Sequence, residues 1–310
     1  FKQKTAYEML RSLVGSEMCI RDRLLTKGTL FVFEEATKVR VRELLLTHDI
    51  DTIICNPNQQ TYKIDKELLD GTNVNLINTC STGMNHIDVE YCESIGIKIY
   101  SLTKDYELIN QLPSTSELAF GLLLDLMRNI TKSNNVTKRD ESWDYLPFIG
   151  QQMKDYRIGI VGYGRLGKMM AKYCRAFDAI VDIYDPYSNE STVDTLEELF
   201  DKCDAVSLHV HVTDETKYMI DYNLLSRNVK FLVNTARGEI VEESDVVKAL
   251  KESKLLGYGT DVIEDEFGDI KNSPLFYLEN SNLNCIFTPH IGGMTIQGQT
   301  KAYKWAINKL

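Results

Sequence analysis

Arg157-Ile-Gly-Ile-Val161 runs directly into Gly162-Tyr163-Gly164-Arg165-Leu166-Gly167 and then into Lys168-Met-Met-Ala-Lys-Tyr-Cys174. A short apolar strand, a glycine-rich turn and a helical pattern in that order form a strand-to-helix unit built to receive a dinucleotide. Gly162 permits the tight turn, Gly164 lets the backbone approach a pyrophosphate, and Gly167 lets the helix pack closely on the sheet. The phosphates then sit at the helix N-terminus, where unspent N–H groups and the helix dipole favour an anion. Tyr163, Arg165 and Leu166 fill the same turn and belong to the candidate cofactor-binding set with the glycines. Such a glycine string also occurs as a surface turn, and the flanking strand and helix are what select the dinucleotide reading. The next strand pattern, Ala179-Ile-Val-Asp-Ile-Tyr184, ends at Asp185. An acidic side chain there can bind both ribose hydroxyls and repels a 2′-phosphate, which favours NAD over NADP, although the same geometry suits an aspartate that only starts a turn with Pro186.

Working outward, strand-like and helix-like patterns alternate from Gly28 onward, the signature of parallel βαβ units. Strands are expected at 29–33, 51–55, 74–79 and 97–101, then near 157–161, 180–184, 204–208, 230–234, 256–260 and 284–288. Asp88-Val-Glu-Tyr-Cys-Glu-Ser-Ile, stopped by Gly96, reads as a helix between the first strands. Pro113-Ser114-Thr115-Ser116 signals the start of a long helix that carries the apolar run Glu117 to Met127, and a polar stretch from Thr131 to Ser142 follows. The fold class expected is α/β in two domains, a flavodoxin-like substrate domain and an inserted Rossmann doubly wound parallel sheet, with the cleft between them. Residues 24–108 form the first segment of the substrate domain, 109–290 the NAD-binding domain, and 291–310 the return, which ends soon after its helix begins. Residues 1–23, around Val14-Gly15-Ser16-Glu17-Met18-Cys19-Ile20-Arg21-Asp22-Arg23, read as a non-native leader and are set outside the fold.

The composition narrows the function classes. The chain has 310 residues, 43% hydrophobic and 26% charged, which suits two soluble globular domains. No stretch approaches the ~20 apolar residues needed to cross a bilayer. A net charge of −10 with scattered Lys and Arg excludes a phosphate-backbone partner, so neither nucleic acid nor membrane is expected. Seven cysteines form no CxxC pair and lie mostly in apolar runs, as in a reducing, cytoplasmic setting. The five histidines show no metal-ligand spacing, so no metal is expected.

Three later strings follow predicted strands: Asn234-Thr235-Ala236-Arg237-Gly238, Asp261-Val-Ile-Glu-Asp-Glu266, and Thr288-Pro-His290-Ile-Gly292-Gly293. Loops at the carboxyl ends of strands in open α/β sheets converge on the ligand crevice. Singly, Arg237 reads as a surface ion pair, Glu266 as a solvated charge and His290 as a structural histidine; their order behind the glycine turn makes chance a poor account. With Ser81-Thr82-Gly83-Met-Asn-His86-Ile-Asp88, these strings make the chain similar to the D-isomer-specific 2-hydroxy-acid dehydrogenases from about Leu30 onward. The resemblance implies an NAD-dependent oxidoreductase for a small D-2-hydroxy acid or its 2-keto form, with Arg237, Glu266 and His290 as the catalytic set.

The chemistry asks for such a set. Hydride loss from C2 requires a base of near-neutral pKa at the hydroxyl, which suits His290. Glu266 would orient the ring, and Arg237 would grip the carboxylate or polarise the carbonyl. The resemblance further places Cys80, Ser81, Thr82 and Gly83 on the substrate carboxylate, Asp261 on the nicotinamide carboxamide, and Thr235, Ala236, Arg237, His209, Val210, His290, Gly292 and Gly293 along the cofactor. It also implies a homodimer, for which the Glu117–Met127 helix is a candidate contact. Some residues depart from the family pattern. Asn56 stands where phosphoglycerate dehydrogenases carry an arginine for the substrate phosphate, which disfavours a phosphorylated substrate. Phe267 and His211 each replace a common proline. Two other readings share the fold: an NADH-sensing, corepressor-like binding protein, and a hydride enzyme for formate or phosphonates.

Overall fold

The computed structural model describes residues 3–8, 25–26, 28–33, 37–56, 62–266, 268–278 and 283–310. Phe267 lies outside them. The chain divides into two compact units, one of residues 1–112 with 293–310 and one of Pro113–Gly292.

The second unit is a six-stranded, all-parallel sheet. Its strands are β6 (Arg157–Val161), β7 (Ile180–Tyr184), β8 (Ala205–Leu208), β9 (Phe231–Asn234), β10 (Gly257–Thr260) and β11 (Cys285–Phe287). They lie in the order β11-β10-β9-β8-β6-β7. All four residues of β9 are buried, because helices cover both faces of the sheet. Phe231 and Val233 belong to one core with the helices Ser114–Arg128 and Arg165–Ala176, while Leu232 belongs to the opposite core with Leu199, Phe200, Val246 and Leu250. The strand's period of two therefore appears as two cores instead of one wet face. After β7 the chain returns to the other side of β6 to form β8, so the strand order reverses between β6 and β8, where open α/β sheets bind ligands.

The helix Ser114–Arg128 starts one residue earlier than its hydroxyl signal suggests. Pro113 occupies the N-cap position, and no side chain caps the helix. It buries Ala119, Leu122, Leu123, Leu126 and Met127 in the unit's own core, which explains why it is apolar on more than one face. The polar stretch beyond it is also helical, Ile130–Asp140, and none of its residues is buried.

The first unit is a parallel sheet of β1 (Gln3–Glu8), β2 (Gly28–Phe33), β3 (Thr52–Cys55), β4 (Leu76–Thr79) and β5 (Lys98–Tyr100), ordered β2-β1-β3-β4-β5. This corrects the exclusion of residues 1–23 from the fold. Gln3–Glu8 pairs with β2 (Gln3↔Gly28) and β3 (Thr5↔Thr52), because both neighbours offer an open ladder. The rest of that segment, up to residue 24, lies outside the described residues. The helix Val89–Ser94 is capped by Asp88, whose carboxylate accepts the Tyr91 N–H, and Gly96 follows it at φ +80°. The closing helix Ile296–Asn308 buries Ala302, Tyr303, Ala306 and Ile307 against Ile54, Cys80, Leu102 and Ile109. Among the described residues, no helix is long and apolar enough to cross a membrane.

Candidate active site

The three chemistry-bearing strings follow β9, β10 and β11, which are neighbours in the sheet, so their loops emerge side by side at its carboxyl end. His290 Nδ1 lies 2.7 Å from Glu266 Oε2. With Nδ1 engaged, the imidazole has Nε2 for acid–base exchange. His290 itself sits at φ +51°, a conformation that costs a non-glycine residue free energy and persists only where its surroundings enforce it. Asp261 supplies that enforcement. Its carbonyl accepts the His290 N–H at 2.9 Å, and its carboxylate accepts the Thr288 hydroxyl at 2.5 Å and the N–H groups of Ile291 and Gly292 at 2.8 and 2.7 Å. Burial pushes the Asp261 carboxyl up, and those donors hold it down. With three donors on its carboxylate, Asp261 clamps the histidine turn.

Two further residues, neither of them assigned a role in advance, tie these loops together. The buried Asn234 accepts the Ala236 N–H at 3.0 Å and donates to the Arg237 carbonyl at 2.8 Å, closing the turn that carries Arg237. Buried Glu243 accepts the Glu264 N–H at 2.9 Å and the Ser273 hydroxyl at 2.5 Å, holding both ends of the Glu266 segment; burial pushes its carboxyl up. Their signal was a polar residue at a strand end or on an apolar helix face. Gly238 closes the remaining gap: a Cβ there would lie 2.0 Å from the Ile263 carbonyl carbon, so the Arg237 and Glu266 loops meet backbone to backbone. The Arg237 guanidinium is half-buried and donates to the Ala236 carbonyl at 2.7 Å.

At the reversal point, the glycine turn has the form a dinucleotide needs. Gly162 adopts φ +86° with His209 and Val210 packed on it, and a Cβ would come within 2.7 Å of the His209 oxygen. A Cβ at Gly167 would lie 2.0 Å from the Gly162 carbonyl oxygen, so helix and strand touch there. A Cβ at Gly164, by contrast, would meet nothing within 4 Å. That open space faces the start of the helix Arg165–Ala176, which no side chain caps. Asp185 follows β7, and its carboxylate takes the Tyr163 N–H at 2.7 Å and the Tyr187 N–H at 2.9 Å, which leaves lone pairs for hydroxyl donors. Of the buried side-chain atoms that have no hydrogen-bond partner among the described residues, His209 Nδ1 and Thr235 Oγ1 belong to residues expected along the cofactor. The open glycine, the anchored carboxylate and these orphaned atoms fit an adenine dinucleotide. The Tyr163 N–H donates to Asp185, and its side chain is buried in the core. His211 is exposed, and its carbonyl accepts the Thr216 hydroxyl at 2.6 Å.

In the first unit, the loop after β4 has an uneven hydrogen-bond balance. The carbonyls of Ser81, Thr82 and Gly83 accept from the Leu102 N–H, the Thr103 hydroxyl and the Ser81 hydroxyl at 3.0, 3.0 and 2.7 Å. Among the described residues, the N–H groups of Ser81, Thr82 and Gly83 have no acceptor. Filled carbonyls and unspent amides suit an anion. The Cys80 N–H, unlike the three that follow it, donates to a backbone carbonyl, that of Cys55 at 2.9 Å, and its thiol is buried. Asn56 donates to Gln299 Oε1 at 2.7 Å, so its amide is taken by the closing helix. Among the described residues, no group of three His, Cys, Asp or Glu could hold a metal ion.

Comparisons with known proteins bear on the same residues. Residues 120–292 match the profile described as D-isomer specific 2-hydroxyacid dehydrogenase, NAD binding domain, and residues 21–107 match the catalytic domain of that family. The chain is 32% identical to a glyoxylate reductase of Thermofilum pendens over 285 residues, covering 87% of this chain and 80% of that one. To a glyoxylate reductase of Thermococcus litoralis it is 34% identical over 253 residues, covering 76% and 72%. The crystal structure of a D-lactate dehydrogenase from Aquifex aeolicus, complexed with NAD and lactic acid, superposes with a TM-score of 0.80 at 25% identity, covering 99% of this chain and 94% of that one.

Proposed function

The chain belongs to the D-isomer specific 2-hydroxyacid dehydrogenase family, and from that premise we propose that it reduces a small, unphosphorylated 2-keto acid to the D-2-hydroxy acid, or runs the reverse oxidation, with NAD. The observation that carries the reading is the 2.7 Å contact between His290 and Glu266 on loops that adjoin the Arg237 loop. Bound NAD supplies the two-electron exchange at C2. Gly162, Gly164, Gly167 and the uncapped helix start hold its phosphates, and Asp185 holds a ribose and disfavours a 2′-phosphate.

In the direction of oxidation, His290 Nε2 accepts the substrate hydroxyl proton as C2 is oxidised; in reduction it returns that proton to the new alkoxide oxygen. Glu266 keeps the proton of the neutral ring on Nδ1 and stabilises the imidazolium that forms. Arg237 offers a planar fork to the carboxylate or keto oxygen. Within the first unit, the Ser81, Thr82 and Gly83 amides are assigned to carboxylate recognition. Asn56 supplies no cation for a phosphate, and the similarity to glyoxylate reductases supports a short substrate.

The test is a screen of glyoxylate, hydroxypyruvate, pyruvate and phosphohydroxypyruvate, following NADH absorbance. Turnover of an unphosphorylated acid is expected, and turnover of none of them is the result a pure NADH sensor would give. A fluorescence titration in which NADPH binds as tightly as NADH would overturn the role given to Asp185.

We also assign the chain to a homodimer in a reducing cytoplasm. Trp143, Tyr145, Leu146 and Ile149 are exposed just beyond a helix that buries none of its residues, which supports a partner surface there instead of on Glu117–Met127. Sedimentation at micromolar concentration tests it. The free cysteines support the reducing setting: burial pushes the Cys174, Cys203 and Cys285 thiols up to about 12.

A further inference from the structure

His86 takes no part in the chemistry assigned above, yet it is an imidazole with 1% of its surface exposed, directly behind the amide-rich loop. Its Nε2 lies 3.2 Å from Thr79 Oγ1, Thr79 Oγ1 lies 2.7 Å from Ser81 Oγ, and Ser81 Oγ lies 2.7 Å from the Gly83 carbonyl oxygen. Each hydroxyl has one proton, and a carbonyl can only accept. The Ser81 proton is therefore spent on Gly83, so Thr79 must donate to Ser81. Thr79 Oγ1 is then an acceptor, and the donor facing it is the His86 Nε2–H. Cys55 Sγ, at 3.5 Å, lies beside the same ring nitrogen.

The other ring nitrogen supports this direction. Nδ1 is buried and has no hydrogen-bond partner among the described residues. As a bare lone pair it is tolerable; as an N–H it would be a stranded buried donor, which folded proteins rarely contain. A charged ring would strand the same donor, and burial pulls the His86 pKa down to about 4. The ring is thus neutral and held in one tautomer.

We propose that His86 is a positioning residue for the reaction: its Nε2–H sets the direction of the Thr79–Ser81 hydroxyl chain that pins the Gly83 carbonyl and so presents the Ser81–Gly83 amides to the substrate carboxylate. The proposal rests on the reading of those amides as the carboxylate receptor. Without the donor the chain can reverse. Ser81 then gives its proton to Thr79, the Gly83 carbonyl loses its partner, and the turn is free to rotate. Because the carboxylate is bound alike before and during reaction, the loss falls on KM more than on kcat.

The experiment compares His86→Gln, His86→Leu and Thr79→Val in the full chain, using glyoxylate as the probe substrate, with the ¹⁵N resonances of His86 in the unaltered protein. A glutamine nitrogen can donate to Thr79 as Nε2 does; leucine cannot. Thr79→Val removes the acceptor that reversal needs, so Ser81 keeps its bond to Gly83 and KM should change little, whereas His86→Leu is expected to raise KM about tenfold, roughly the effect of one lost buried hydrogen bond, with kcat and NADH affinity within about twofold. His86→Gln is expected to recover most of that loss. The ¹⁵N spectrum should show the proton on Nε2 and no titration between about pH 8 and about pH 5. A proton on Nδ1, a glutamine variant as impaired as the leucine variant, or a parallel fall in NADH affinity would each overturn the proposal. The tautomer is read without substrate or substitution. It therefore decides the relay even if His86→Leu fails to fold, and a wild-type protein inactive on every keto acid counts against the dehydrogenase reading instead.

Discussion

Replacing Gly238 with alanine tests whether the Arg237 and Glu266 loops work as one assembly. The added Cβ would lie 2.0 Å from the Ile263 carbonyl carbon and 2.2 Å from both the Ile263 oxygen and the Glu264 nitrogen. All three are backbone atoms, so no side chain can swing aside. Ordinary contact begins at 3.4 Å, and 3.4 minus 2.0 leaves about 1.4 Å that one of the two loops must yield. Glu266 is two residues beyond Glu264 and holds His290 Nδ1 at 2.7 Å; a shift of that size carries the pair out of hydrogen-bond range. Misplacement by about 1 Å at a reacting centre costs on the order of a hundredfold in rate, or about 2.7 kcal/mol. We therefore expect kcat/KM for glyoxylate to fall about a hundredfold, together with an overpacking cost of about 1–3 kcal/mol in stability. NADH absorbance measures the first and a urea midpoint the second. NADH binding, titrated by fluorescence, should weaken far less than turnover, because the glycine turn assigned to the phosphates follows β6 and only Thr235, Ala236 and Arg237 of the assigned cofactor contacts lie on the perturbed loop. A folded, NADH-binding variant that turns over within about threefold of wild type would refute the coupling.

His290→Gln should lower turnover by about a hundredfold or more while NADH still binds, given the usual contribution of a general acid–base group; near-normal rates would remove His290 from the mechanism. Asp261→Asn replaces a carboxylate that accepts three hydrogen bonds with an amide that can face only part of that set, so the φ +51° turn at His290 loosens. Steady-state rates about ten- to a hundredfold lower are expected, and an unchanged kcat with weaker NADH binding would instead support the carboxamide role. For stability, the folded-state pKa of His86 is about 4 against 6.5 for the ordinary side chain. The unfolded chain therefore binds the extra proton first as the pH falls, and the stabilisation is complete above about 6.5 and lost progressively towards about 4. A shift of that size is worth about 3 kcal/mol, so urea midpoints should fall between pH 7 and pH 4.5, and by less in His86→Gln.

Much of this was legible because pattern and chemistry coincide in the same residues. Phe231-Leu-Val-Asn234 is short, apolar and bounded by turn residues, and it needs no distant information to be read as a buried strand. The glycine turn is similar: Gly162, Gly164 and Gly167 do three different jobs, each of which follows from a missing Cβ. Gln3–Glu8 was hidden for the opposite reason. Its pairing partners begin at Gly28 and Thr52, and a mixed stretch of charged and polar residues gives no local sign that a ladder is open between them. At Cys80 the motif shows which residues the loop contains but not which of its amides are already spent.

The hydrogen-bond assignments share one physical pattern. His290 is held in a conformation its own backbone disfavours, and the force that holds it comes from a buried carboxylate, Asp261, with three donors. Glu266 belongs to a segment whose ends are held by another buried carboxylate, Glu243. Burial pushes both carboxyls up, so each is stable as an anion only while its donors stay in place. Loss of one donor raises the cost of the buried charge as well as removing a bond, which makes these loops cooperative: they are held together or released together. Substitutions at Thr288 or Ser273, neither of which touches a reacting atom in this account, should therefore lower turnover through the neighbouring carboxylate. If Thr288→Val and Ser273→Ala leave both rate and stability unchanged, the carboxylates are not what holds the histidine and its partner in place.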